Sequence, residues 1–139
     1  MARAEVSAAV KAYLGTAFNG IPVRYPNEAS GEPPADNSNF IEVQFPVASN
    51  LHVGMAQVGN RTFRETGIIR LVLSTQRGVD GGEDAALAIM GQLEAAFLAK
   101  QFGGVTTRTP NAAVSDNSND NGAWWVLSMA VPYFYDYIA

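Results

Sequence analysis

The sequence predicts an α+β domain, a small mixed or antiparallel sheet with two helices packed on one face. Three observations predict it. Apolar residues recur at three- and four-residue spacing in two stretches, Arg3 to Phe18 and from the turn at Gly82 to about Gln101, which marks two helices. Alternating apolar and polar residues between and after them mark strands. The closing run from Ala123 to Tyr137 is apolar on both alternating sets, which marks a strand needing cover on two faces. The chain has 139 residues, 47% of them hydrophobic and 16% charged, which suits a single domain over residues 1–139 that folds on its own core.

In the first helix Val6, Ala9, Val10, Tyr13 and Ala17 form the apolar stripe, with Glu5 and Lys11 on the other side. Asn19-Gly20 stops it, and Ile21 to Tyr25 runs extended up to Pro26. Asn27 to Asn39, with Gly31, Pro33, Pro34, Asp36 and Asn37, reads as a loop. Phe40 to Phe45 alternates as a half-buried strand closed by Pro46, and Leu51 to Val58 is a weaker extended stretch. Gly59-Asn60-Arg61 is the expected hairpin tip, returning through Thr62 to Thr75 with Gly67, Ile69, Leu71 and Leu73 on one face and Ile68, Arg70, Val72 and Ser74 on the other. After the turn Arg77 to Gly82, the residues Ala86, Ile89, Met90, Leu93, Ala96 and Phe97 form the second helical stripe, ended by Gly103-Gly104. Asp80, Glu83 and Asp84 at its start and Lys100 at its end complement the helix dipole. Val105 to Thr109 is a short strand and Pro110 to Gly122 a polar loop.

In the closing strand Trp125, Leu127, Met129, Val131, Tyr133, Tyr135 and Tyr137 share a face, and Trp124, Val126, Ala130, Phe134 and Ile138 lie mostly on the other. Two helices cover one face of a two-layer domain, so the second requires another layer or another subunit. Pro132 lacks a ladder donor and points to an edge position or a bulge. An apolar edge strand invites association, so a partner chain is expected.

Little catalytic chemistry is available. The chain has no cysteine and one histidine, His52, which removes thiolate sites, cysteine nucleophiles and any metal cage needing two imidazoles. No nucleophile elbow, dinucleotide turn or Walker lysine occurs. Asp116 to Gly122 superficially resembles a calcium loop, but neither alignment of it supplies both the glycine and the closing glutamate. Glu83 with Asp84, and Glu42 with Glu65, are carboxylate pairs that read as surface charges. No catalytic residue, cofactor site or metal site is assigned. Nine basic against thirteen acidic residues give a net charge of −4, which argues against gripping nucleic acid. The opening residues lack the pattern of a signal peptide, and no apolar run approaches the ~20 residues that cross a bilayer, so no membrane role is expected. Asn60-Arg61-Thr62 matches a glycosylation acceptor, a three-residue pattern common by chance.

Several short stretches carry a family resemblance: Val23-Arg24-Tyr25-Pro26-Asn27, the strand Gly67 to Leu73 leading into Arg77-Gly78-Val79-Asp80-Gly81-Gly82, the helix end Leu93-Glu94-Ala95-Ala96-Phe97, and Val131-Pro132-Tyr133-Phe134-Tyr135. With the order of elements, they resemble the tail terminator family of long-tailed bacteriophages and gene transfer particles. The resemblance implies a non-enzymatic virion protein, assembled in the host cytoplasm and sited at the head-proximal end of the tail. There it would form a homo-oligomeric, hexameric ring that caps the tail tube protein, stops elongation and meets the head–tail connector or neck protein, while DNA passes through the lumen without specific binding. On this reading Trp124, Val126, Phe134, Ile68, Arg70 and Val72 are the oligomer-interface candidates, because a head-to-tail ring uses two different patches on each subunit. His52, Met55, Arg61 and Arg64, on the Leu51 to Arg64 hairpin, are the candidates for docking tube or connector. Alternatives are another neck protein, a monomeric ligand-binding module using Trp124, Trp125 and Tyr133, and a hydrolase holding a metal with Asp80, Glu83 and Asp84.

Overall fold

A computed structural model describes residues 2–18, 22–25, 39–57, 60–76, 82–115 and 124–138 of the chain. Most of the expected loop at 27–39, the turn at 77–81 and the run from Asp116 to Gly122 lie outside these residues.

Helix α1 is Ala4–Ala17, and its buried stripe is Val6, Val10 and Leu14. Steps of four from Val6 lead through Val10 to Leu14, so Leu14 is the third anchor and Ala17, expected on the stripe, is exposed. A short strand β1 (Val23–Arg24) then pairs in parallel with the start of β2 (Phe40–Gln57). β2 turns back antiparallel into β3 (Asn60–Gln76). Next come α2 (Gly82–Phe97), β4 (Gln101–Phe102), β5 (Val105–Thr107), β6 (Val114–Ser115) and β7 (Trp124–Ile138). Among the described residues the sheet is seven-stranded, in the order β1-β2-β3-β7-β5-β4, with β6 also paired to β7. It is mixed, as expected, and dominated by the three long strands β2, β3 and β7.

Three expectations are corrected. Pro46 does not close its strand: β2 runs on through a register shift between Gln44 and Val47, and the bulge accommodates a residue that cannot donate to the ladder. The second helix ends at Phe97, so Lys100 lies beyond it and Gly103-Gly104 forms the β4–β5 turn instead. Both glycines there have positive φ, and a Cβ at Gly103 would stand 2.7 Å from the Ala9 Cβ of α1, so the turn requires glycine twice over. Finally, β7 is no edge strand. It lies between β3, with which it pairs from Thr62↔Ile138 to Gln76↔Trp124 without a bulge, and β5 and β6.

Pro132 fits this interior position because of the partner on its other side. The Arg108 N–H donates to the Pro132 carbonyl at 2.8 Å, and in an antiparallel ladder a residue's N–H points the same way as its carbonyl, so the missing donor faces the irregular stretch after β5. Asn111 completes that stretch: its N–H donates to the Ala130 carbonyl at 3.0 Å and its Oδ1 accepts from the Ala130 N–H at 2.6 Å. One side chain thereby replaces a missing rung.

The core joins the α1 stripe, the α2 residues Ala86, Met90, Leu93 and Phe97, and the strand residues Ile41, Val43, Ile69, Leu71, Leu73, Leu127, Met129, Val131 and Tyr133. On β3 and β7 these are the odd-numbered residues, so one face of the sheet supplies the core. Tyr13 links the helices: its ring stacks on Phe102 at 4.2 Å between centroids, and its hydroxyl donates to the Ala96 carbonyl. The end of α2 is satisfied by Thr107, whose buried hydroxyl donates to the Phe97 carbonyl at 2.6 Å and accepts from the Lys100 N–H at 2.9 Å.

Candidate functional site

The even-numbered residues of β3 and β7 face away from that core. Cross-strand pairing sets Ile68 opposite Pro132, Thr66 opposite Phe134, Arg70 opposite Ala130, Val72 opposite Ser128 and Ser74 opposite Val126. Ile68, Val72, Val126, Pro132 and Phe134 are half-buried, and Arg70 is exposed. The bulge in β2 changes which of its residues join this face. Beyond it Val47 pairs with Ile68 and Leu51 with Arg64, so Val47, 55% exposed, and Leu51, 64% exposed, extend the apolar surface. Ile138, 63% exposed, ends it.

The interface candidates Val126, Phe134, Ile68, Arg70 and Val72 therefore stand on one face of two neighbouring strands. Trp124 pairs with Gln76 by its backbone, and its side chain lies outside the described residues. The polar members of the face bind one another. Arg64 donates from Nε and Nη2 to the Asp136 carboxylate at 2.7 and 3.0 Å, and these hydrogen bonds hold that carboxyl below its ordinary range. The Arg64 and Arg108 guanidiniums lie 4.3 and 5.3 Å from the Phe134 ring centre. Arg70 donates to Gln44, which donates to Glu42.

The docking candidates do not share one face. His52 pairs with Phe63 on the core side of the sheet, its ring 5.3 Å from the Phe63 ring, whereas Arg64 lies on the opposite face with Asp136. Arg61 is exposed and pairs with Met55, whose side chain lies outside the described residues.

The group that sequence reasoning missed is Glu65. It reads as a surface charge, yet it is 2% exposed. Its carboxylate accepts from the Tyr133 hydroxyl at 3.0 Å and from the Arg3 N–H at 3.2 and 3.4 Å, so it holds the start of α1 against the sheet as a distant cap. Burial, and then the Glu65 carboxylate, push the Tyr133 phenol up from its ordinary value. The only sequence signal was position: Glu65 is odd-numbered in a strand whose odd residues are apolar. Glu42 lies elsewhere, opposite Val72, so the two carboxylates form no pair.

The other chemistry gains no geometry. Tyr133 is buried, and Trp125 sits eight residues away on the same extended strand, a separation of roughly 26 Å that one pocket does not span. Among the described residues no three His, Cys, Asp or Glu side chains are close enough to hold a metal ion, and no helix is long and apolar enough to cross a membrane. Asp80 and the Glu83 side chain lie outside the described residues.

Fold and surface together define an α+β sheet protein whose most developed feature is a second, half-open apolar sheet face. Residues 5–133 match the family model of the phage tail terminator protein, and the chain belongs to that family. Membership makes it a structural component of the phage tail, with tail-associated partners. No curated protein sequence matches the chain.

Proposed function

We propose that the protein forms a hexameric ring at the head-proximal end of the tail, where it caps the finished tube, stops its elongation and offers the joining surface to the head-side connector. The observation that carries this reading is the second face of β3 and β7. The buried residues of α1 and α2 join the core on the opposite face, which supports reading the surface of Ile68, Val72, Val126 and Phe134, extended by Val47, Leu51 and Ile138, as the one that meets a neighbouring subunit. Six copies that use two different patches close by rotation into a ring. The β2–β3 hairpin, with His52, Met55, Arg61 and Arg64, is the part that reaches the tube or connector. The acidic balance of the chain suits a lumen through which DNA slides without being held. The work of the protein is capping, with no catalytic step.

Negative-stain microscopy of the concentrated protein and a tube-length assay test the proposal. Six-fold rings and tubes of regular length are expected from the native chain. The double variant Ile68→Glu with Phe134→Glu, changed at half-exposed positions, should fold and lose both. Rings and length control that survive in this variant would overturn the assignment of the interface.

A further inference from the structure

Among the described residues, the outer edge of β2 is unpaired over most of its length. Among the described residues, β1 pairs with β2 only at Ile41 and Glu42, and no strand lies beside the rest of that edge. Natural proteins blunt such edges with charges, proline, bulges or short length. Here Pro46 and register shifts guard the two ends, at Gln44/Val47 and from His52 onward. Between them Val47–His52 is regular. Moreover, from Val43 to Asn60 the chain has no Asp, Glu, Lys or Arg, and Val47, Leu51 and Val53 are largely exposed.

We propose that the Val47–His52 edge of β2 forms a backbone ladder with a strand of a second copy of this chain, so that the sheet continues from one subunit into the next. Two observations select a second copy. Copies of a chain with net charge −4 repel one another wherever that charge is displayed, and they approach most easily along a stretch that has none. Val47 and Leu51 also continue the apolar face of Ile68 and Phe134, so one neighbour covers both edge and face. A different edge of that neighbour is required, since β2 against β2 is two-fold and stops at two copies. The inference rests on the ring reading for this last point alone.

Amide hydrogen exchange of the protein, dilute and concentrated, tests it beside sedimentation. The expected result is self-association in which alternate amides of residues 47–52, those pointing away from β3, become protected only in the associated form. Ala48→Pro and Ser49→Pro separate edge from face: adjacent N–H groups point to opposite sides, so one proline breaks the β2–β3 ladder and the other removes only an outward donor. The variant that keeps the native melting temperature should associate about tenfold or more weakly. Association without protection at 47–52 overturns the edge ladder and leaves the ring standing. Protection already present in the monomer overturns it as well, because the chain then covers its own edge. A protein that stays monomeric refutes the ladder, and whether that monomer still stops tube growth decides the capping reading separately.

Discussion

Replacing Gly67 with alanine tests the closest packing in the sheet. A Cβ at this position would stand 2.5 Å from the Val47 carbonyl oxygen, 2.7 Å from the Tyr133 hydroxyl and 2.9 Å from Tyr133 Cε1. The tyrosine can swing aside only by leaving Glu65, a hydrogen bond to a buried charged group worth about 1.5–3 kcal/mol. The Val47 oxygen belongs to the backbone just after the β2 bulge, so the strands themselves must part, an overpacking cost of about 1–3 kcal/mol. Loss of unfolded-chain entropy returns about 0.4–1 kcal/mol. The net destabilisation is therefore about 1.5–5.5 kcal/mol. With an unfolding entropy of about 2.1 cal/mol/K per residue, a chain of 139 residues loses about 3–4 °C of melting temperature per kcal/mol. Urea unfolding measures the free energy and calorimetry the shift. Gly91→Ala is the internal control: nothing lies within 4 Å of its Cβ in the middle of α2, so the variant should gain up to about 1 kcal/mol. A Gly67→Ala protein within about 0.5 kcal/mol of the native chain would refute the packing argument.

Tyr133→Phe removes the hydroxyl that Glu65 accepts from, and should cost about 1.5–3 kcal/mol at neutral pH. The folded protein holds the Tyr133 proton more tightly than the unfolded chain, so native stability falls as pH rises above about 10. A pH series of urea midpoints should show that alkaline loss shrinking in the variant, and an unchanged slope would show that another group causes it. Thr107→Val should cost about 1–3 kcal/mol by leaving the Phe97 carbonyl and the Lys100 N–H without their partner. Faster amide exchange confined to the end of α2 and the β4–β5 turn would accompany it.

The sequence made the two helices and the long strands legible because their apolar residues keep strict periods. Val6 and Val10 follow the helical step, and Ile69 to Leu73 and Leu127 to Tyr133 follow the strand step. It also named the second face: Ile68, Val72, Val126 and Phe134 are apolar where a two-layer domain has no cover for them. Where reading failed, a local signal met a distant partner. Pro46 and Pro132 are strand breakers taken alone, yet a bulge opposite β3 absorbs the first and an irregular neighbour faces the second. Glu65 is a surface residue by type, and only the arrival of Tyr133 and the N-terminus of α1, from the two ends of the chain, makes its burial tolerable. The docking candidates on the hairpin were close in sequence, but alternation in β2 and β3 put His52 and Arg64 on opposite faces. Composition and periodicity thus determined which residues seek burial and in what kind of element. The order of the strands, the register across the β2 bulge and the edge that no described strand pairs at Val47–His52 were decided by tertiary structure, because each depends on hydrogen bonds and contacts between residues far apart in the chain.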